Sequence, residues 1–370
     1  MNTLTGDVLT PQGWVRGVLL MEAGYIQDVR GERVSEQAAL QADTPKYIPG
    51  FIDLHVHGSH GVDLMSEGES LAHIAAHQVR YGTTAFLATT MTAPMDKVVR
   101  VMHCIADYLA HEPVAEHAAV LGVHLEGPYI SKERLGAQPD ETRDGVLAEI
   151  KALHNIAPIR VITVAPEAMS DALLIQHLSD MGMRVQIGHS SGSYEQGVHA
   201  LAHGASGFTH LFNGMTGLHH REPGMVGAAL AHAQYAELIP DLLHVHPGAI
   251  RTALRCIPDL YCVTDATSAT GMPDGEYALG SQTVYKCSGG VRVASGSLAG
   301  SVLTMIDALR NLHSIGLSVM DASRRLSAIP AQYLGLSTRG ALTTGAVADV
   351  VEVDRDLQRS ATYVRGVRYE

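Results

Sequence analysis

A chain of 370 residues, 46% hydrophobic and 17% charged, has the balance of a globular protein and the length for one barrel-sized core with a small appendage. A formal net charge of -12 argues against a nucleic-acid surface, and the absence of any window of ~18 uninterrupted apolar residues argues against a membrane span. The first residues, Met1-Asn2-Thr3-Leu4-Thr5-Gly6-Asp7, lack a basic stretch ahead of an apolar run. Cys104, Cys256, Cys262 and Cys287 lack metal-type spacing, so the chain reads as a cytoplasmic protein with reduced thiols.

Residues 1–48 hold short β-like pieces such as Trp14–Met21, with turn positions at Gly24 and Gly31. The far end, 337–370, has the same character in Ala348–Val353 and Thr362–Val367. Both ends are therefore expected to form one small β domain, a β-sandwich, beside the main body. Between them, over 49–336, strand-like runs alternate with helical patterns. The expected strands are 51–57, 83–90, 119–127, 159–166, 184–190, 207–213, 238–245 and 260–266, with helices such as Glu69–Tyr81, Asp96–Ala110 and Asp171–Met181 between most of them. About eight βα units with apolar strands argue for an α/β fold, a (β/α)8 TIM-like barrel with its active site at the C-terminal strand ends. No GxGxxG turn follows the early strands, which argues against a dinucleotide fold. The stretch 275–295, apolar and aromatic between glycines, is expected to be a β insertion.

A barrel requires functional polar residues to gather where the strands stop. The first strand ends Asp53-Leu54-His55-Val56-His57, and strand alternation puts both imidazoles on one face, where they can share a metal ion. The third ends His124-Leu125-Glu126, a carboxylate after a largely apolar run that needs a cation or donors. The fifth ends at His189 and the sixth at His210-Leu211-Phe212-Asn213. The seventh carries His244 and His246, and the eighth ends at Asp265. Histidines, a glutamate and an aspartate form a hard and borderline ligand set for a divalent ion.

At these residues the chain resembles the amidohydrolase superfamily, and within it the N-acetylhexosamine-6-phosphate deacetylases. The resemblance rests on Pro49-Gly50-Phe51-Ile52-Asp53-Leu54-His55-Val56-His57-Gly58, His124-Leu125-Glu126-Gly127-Pro128-Tyr129, Gly188-His189-Ser190 and Thr209-His210-Leu211-Phe212-Asn213-Gly214-Met215. Arg221-Glu222-Pro223-Gly224, Val263-Thr264-Asp265-Ala266 and Leu298-Ala299-Gly300-Ser301 extend it in the family's order. It implies a barrel of the amidohydrolase type holding one or two divalent ions per subunit, zinc or iron. Glu126, His189 and His210 would be the principal metal ligands. His55 and His57 would serve a second ion, with Glu126 bridging because no lysine follows the carbamylated pattern. Asp265 would be the catalytic aspartate, taking a proton from water and delivering it to the leaving amine. His124 would orient Glu126 or the oxyanion.

The resemblance also implies a substrate, N-acetylgalactosamine 6-phosphate or N-acetylglucosamine 6-phosphate, which loses its acetyl group. Asn213, Arg221 and His244 match positions that hold the phosphate or hydroxyls, and Gly214 and Leu298 fall in the same substrate region. The arginine reaches a neighbouring subunit, which implies a homodimer. The runs Met215–Gly224 and Gly271–Gly275 resemble the galactosamine branch. Two positions depart from the family pattern. Gln138 stands where the lid often carries a histidine, and Leu242 stands where glycine is usual; both are expected to bear on phosphate affinity or on the sugar's pose. Competing readings are a deacetylase of unphosphorylated sugars, another small-amide hydrolase, and a non-catalytic barrel scaffold.

Overall fold

The apolar runs form eight parallel strands in the computed structural model, which describes residues 2–111, 115–169, 171 and 173–370. Six of them, Phe51–Val56, Thr83–Thr89, Ala119–Glu126, Ile159–Val164, Arg184–Ile187 and Ala205–Phe208, lie side by side in chain order. The remaining two, Tyr235–Leu238 and Asp259–Cys262, pair with each other. Hydrogen bonds carry the chain across both seams. Leu211 N–H donates to the Glu237 carbonyl at 2.8 Å, and Asp265 N–H donates to the His55 carbonyl at 3.0 Å, beside a parallel bridge between Val56 and Ala266. The ring thus closes, and every residue of the first strand is buried.

Helices cover the ring with their apolar faces. Met95–Leu109 buries Val98, Val101, Met102 and Ile105, the three-and-four spacing of one helix face. Tyr194–Ala202 opens with a capping box of Ser193 and Gln196 that satisfies two main-chain donors.

The last four strands end three or more residues short of the expectation, the fifth at Ile187 and the eighth at Cys262, and the sixth and seventh differ most. The sixth stops at Phe208, and 209–213 turn across the barrel mouth. The seventh is Tyr235–Leu238, not 238–245, because Pro240 lacks the N–H a strand needs and Asp241 starts a turn. Its Oδ1 accepts from the main-chain N–H of Leu243 and of His244. His246 therefore leaves the strand. It caps the helix Pro247–Cys256, its Nδ1 accepting from Gly248 N–H at 3.0 Å.

The chain ends build one seven-stranded sheet from Asn2–Thr10, Gly13–Glu22, Tyr25–Val34, Lys46–Pro49, Val350–Val353, Arg359–Val364 and Val367–Tyr369. It has its own apolar cluster, including Val8, Leu19, Met21, Ile26, Val350 and Tyr363. The sheet runs into the first barrel strand through Gly50, where an added Cβ would sit 2.4 Å from Thr84 Oγ1, so a larger residue would push the strands apart. A three-stranded antiparallel sheet, Gly275–Leu279, Gln282–Cys287 and Gly290–Val293, lies at the barrel mouth and contributes Leu279 and Arg292 to its cavity. Among the described residues no helix is long and apolar enough to cross a membrane.

Candidate metal centre and active site

Three of the strand-end residues sit in left-handed backbone. His189, His210 and Asp265 have φ of 46°, 28° and 53°, each costing a non-glycine residue roughly 1–2 kcal/mol. Hydrogen bonds from neighbouring strands and loops hold them there. Ser131 N–H donates to the His189 carbonyl at 2.8 Å, and Ser301 N–H donates to the Asp265 carbonyl at 2.7 Å. The strained turns bring their side chains to Glu126, the last residue of the third strand.

Glu126 divides two pairs of histidines. Its Oε1 lies 3.1 Å from both His189 Nε2 and His210 Nε2. Its Oε2 lies 3.2 Å from His57 Nε2 and 3.5 Å from His55 Nε2. Asp265 Oδ1 stands over the second pair, 3.3 Å from His57 Nε2 and 3.5 Å from His55 Nε2. Within each pair the two Nε2 atoms are 3.1 Å apart.

Those contacts suit a cation. Nδ1–H donates from His55 to Glu237 Oε1 at 2.7 Å, from His57 to the Thr89 carbonyl at 3.1 Å, and from His189 to the Arg134 carbonyl at 2.7 Å. Each bond holds a proton on Nδ1 and turns Nε2 toward the centre, where its lone pair can take a metal ion or, without one, a proton. His210 Nδ1 is buried with no hydrogen-bond partner. Lone pairs facing each other beside a carboxylate oxygen repel unless positive charge lies between them. Burial opposes charged imidazoles, yet the surrounding carboxylates outweigh it, holding His55 well above its ordinary range and pushing His57 up to about 9. The same histidines hold Glu126 and Asp265 low against burial. Two nitrogens and one oxygen per half fit zinc or another borderline divalent ion, so both His55–His57–Glu126 and Glu126–His189–His210 are chemically competent half-sites.

Two residues lie elsewhere than the sequence suggests. His124 does not orient Glu126: its Nδ1–H donates to the Leu54 carbonyl at 2.9 Å, and Thr163 Oγ1 lies 2.7 Å from its Nε2. Burial pushes it down to about 4, so it is a neutral part of the barrel interior. Gln138 points to the metal end. Its Nε2 donates to Glu126 Oε2 at 2.7 Å, while its Oε1 accepts from Thr92 N–H at 2.8 Å. A neutral amide can do both at once, which a single ring nitrogen cannot.

A cavity of about 380 Å³ opens from the centre and is lined further by Gln138, Asn213, Gly214, His244, Arg292 and Leu298. His244 Nδ1–H donates to Asp241 Oδ2 at 2.6 Å, which fixes its ring. Asn213 Nδ2 donates to the His210 carbonyl at 3.2 Å. Gly214, at φ 62°, lies where an added Cβ would be 3.1 Å from His189 Nδ1, so its bareness lets the loop rest against that ring. Leu242 occupies φ 64°, a conformation natural to glycine and costly to leucine. Arg221 is exposed, its guanidinium donating to His220 Nε2 at 2.8 Å, and it does not line this chain's cavity.

Sequence reading missed Glu237, Asp241, Thr92 and Arg292. Glu237 carried a signal, a lone carboxylate in the apolar stretch Tyr235-Ala236-Glu237-Leu238-Ile239, but the misplaced seventh strand hid it. Thr92 acts through its main chain, which no side-chain pattern reveals.

Known proteins resemble the chain over nearly its whole length. The amidohydrolase family profile matches residues 47–368. An N-acetylglucosamine-6-phosphate deacetylase of Lysinibacillus sphaericus is 41% identical over 86% of this chain and 84% of its own. An N-acetylgalactosamine-6-phosphate deacetylase of Escherichia coli O157:H7 is 38% identical over 97% and 96%. The crystal structure of the Thermotoga maritima N-acetylglucosamine-6-phosphate deacetylase superimposes with a TM-score of 0.90 at 30% identity, covering 99% of both chains. A Mycobacterium smegmatis deacetylase, an aspartate-to-alanine mutant in complex with N-acetyl-D-glucosamine-6-phosphate, gives 0.89 at 30% identity, covering 99% of this chain and 98% of its own.

Proposed function

The chain belongs to the amidohydrolase family, and from that premise we propose that it deacetylates N-acetylgalactosamine 6-phosphate, N-acetylglucosamine 6-phosphate or both. The products are acetate and the amino sugar 6-phosphate. The observation that carries this reading is Glu126 set between two histidine pairs, with Asp265 beside one of them at the mouth of a sugar-sized cavity.

Glu126, His189 and His210 would hold the principal divalent ion, zinc or iron; His55, His57 and Glu126 would hold a second. When bound, such an ion supplies Lewis acidity toward the acetyl carbonyl and toward water. Asp265 accepts the proton of the attacking water and returns it to the nitrogen as the C–N bond breaks, which makes the amine a viable leaving group. Asn213, His244, Gly214 and Leu298 shape the sugar end, with Asp241 holding the His244 ring.

The family resemblance assigns a homodimer in which Arg221 crosses to the neighbouring site, and its exposed place outside its own cavity is compatible with that role. Guanidinium suits that task because its fork grips phosphate oxygens in pairs. Arg221→Ala is expected to raise KM for the phosphosugar far more than for the free sugar. Mixing Arg221→Ala with His210→Ala protein is expected to restore activity at low substrate, through hybrids with one intact site. Hybrids without recovery would remove the cross-subunit role.

Gln138→Leu is expected to act at the metal end, because its amide bonds Glu126. Loss of such a partner costs metal affinity or turnover about 10- to 100-fold. The ratio of KM for free and phosphorylated sugar is expected to stay constant; a selective rise for the phosphosugar would return Gln138 to the phosphate end.

The galacto epimer is favoured by the resemblance of Met215–Gly224 and Gly271–Gly275 to the galactosamine branch. Specificity constants for the galacto and gluco sugars, each with and without phosphate, test the substrate. The galacto phosphate is expected to serve at least as well as the gluco phosphate, and both far better than free sugars. Preference for free sugars would overturn the phosphosugar assignment. Four cysteines, none in a disulfide, fit a reducing compartment, and the reaction is assigned to the cytoplasm.

A further inference from the structure

We infer that Glu237 is a positioning residue that makes the His55–His57 pair a working second metal site. The inference rests on the reading above that Glu126, His189 and His210 hold a divalent ion, and it adds a residue that neither contacts substrate nor ligates metal.

Glu237 sits on the seventh strand with none of its surface exposed. Its Oε1 accepts from His55 Nδ1–H at 2.7 Å and from His210 N–H at 3.1 Å, and Tyr261 Oη–H lies 3.4 Å from its Oε2. One carboxylate therefore touches a histidine from each half of the centre. Burying a carboxylate costs several kcal/mol unless charge compensates it. No Lys or Arg forms an ion pair with Glu237 among the described residues; its ion-pair partner is His55, also fully buried.

Comparison of the neighbouring imidazoles gives this contact its meaning. His57, His189 and His124 each give Nδ1–H to a main-chain carbonyl, a neutral acceptor that suffices to fix the ring. Only His55 among these gives it to a carboxylate. A carboxylate behind an imidazole raises the basicity of the far nitrogen, and that nitrogen, Nε2, faces His57, Glu126 and Asp265. A centre meant for one ion on the other half would need here only a neutral acceptor for His210 N–H, not a third buried negative charge. A divalent ion between His55 and His57 supplies the compensating charge through the ring, so the buried carboxylate and the second ion stabilise each other.

The test is cobalt(II) titration of chelator-stripped full-length protein, followed by visible absorption and checked by elemental analysis. Wild type is expected to bind two ions in two resolvable steps. His57→Asn, which deletes a ligand of one half only, identifies the step that belongs to the His55–His57 half. In Glu237→Gln, which keeps size and an acceptor but removes charge, that step is expected to weaken about 10- to 100-fold while the other stays within twofold. Glu237→Leu is expected to lose at least as much, and the isosteric variant carries the test alone if the leucine variant does not fold. Equal weakening of both steps would make Glu237 merely structural and overturn the inference. So would unchanged binding in Glu237→Gln, or a wild-type protein that saturates with one ion. Acetate release by a wild type holding one ion would leave the deacetylase reading standing while this inference falls.

Discussion

Asp265→Asn is expected to lower kcat for acetate release by about 10²- to 10⁴-fold with the metal content unchanged. Asparagine preserves the shape of the side chain but cannot take a proton from water or pass one to the departing nitrogen. Aspartate is placed for both tasks: its Oδ1 lies beside the His57 and His55 Nε2 atoms, and its backbone is pinned by Ser301 and His55 on either side. Nearby histidines hold it ionised against burial, so it is ready as a base at neutral pH. KM is expected to move little, because the sugar end depends on other residues. Steady-state kinetics with elemental analysis of the same sample check this. Near-normal turnover in Asp265→Asn would pass the proton transfers to another group.

Glu126→Gln is expected to have the broadest effect of any single substitution at the centre. Glu126 is the one side chain that meets both histidine pairs, Oε1 facing His189 and His210 and Oε2 facing His57 and His55. Glutamine matches its volume yet offers one neutral oxygen and an amide whose hydrogens face metal ligands. Both half-sites should lose affinity together and activity should fall to background, whereas His189→Ala should empty only its own half. The strand should survive, because glutamine leaves the main-chain pairing of this last residue with Thr163 unchanged. Metal stoichiometry read with circular dichroism distinguishes a folded, metal-poor protein from a misfolded one. Two tightly bound ions in Glu126→Gln would show that the carboxylate is not the shared ligand.

Much of this centre was legible in the sequence because barrel geometry concentrates function at strand ends. His55 and His57 follow the two-residue period of a strand, and Glu126, His189, His210 and Asp265 each close an apolar run. Residues that act through the main chain or across the barrel left weaker traces. Glu237 reaches His55 from a strand 182 positions away, a pairing that no local pattern encodes. The turn at Pro240 and Asp241 reads as strand in the sequence because the apolar residues on either side give one continuous run, though the proline marks the break. Gln138 stands in a lid segment, and its position in the chain did not tell which end of the cavity it would meet. Leu242 departs from the family's glycine and still takes the left-handed backbone, so the turn is set by Asp241 and its neighbours more than by local preference.

Acetate release from N-acetylgalactosamine 6-phosphate and N-acetylglucosamine 6-phosphate, measured while stripped protein is titrated with zinc or ferrous iron, is the most direct measurement. Paired half-sites around Glu126 predict no turnover in the stripped protein and activity that rises in step with bound metal, for at least one of the two sugars. Full acetate release by metal-free protein, or no release from either sugar at full metal occupancy, would contradict it.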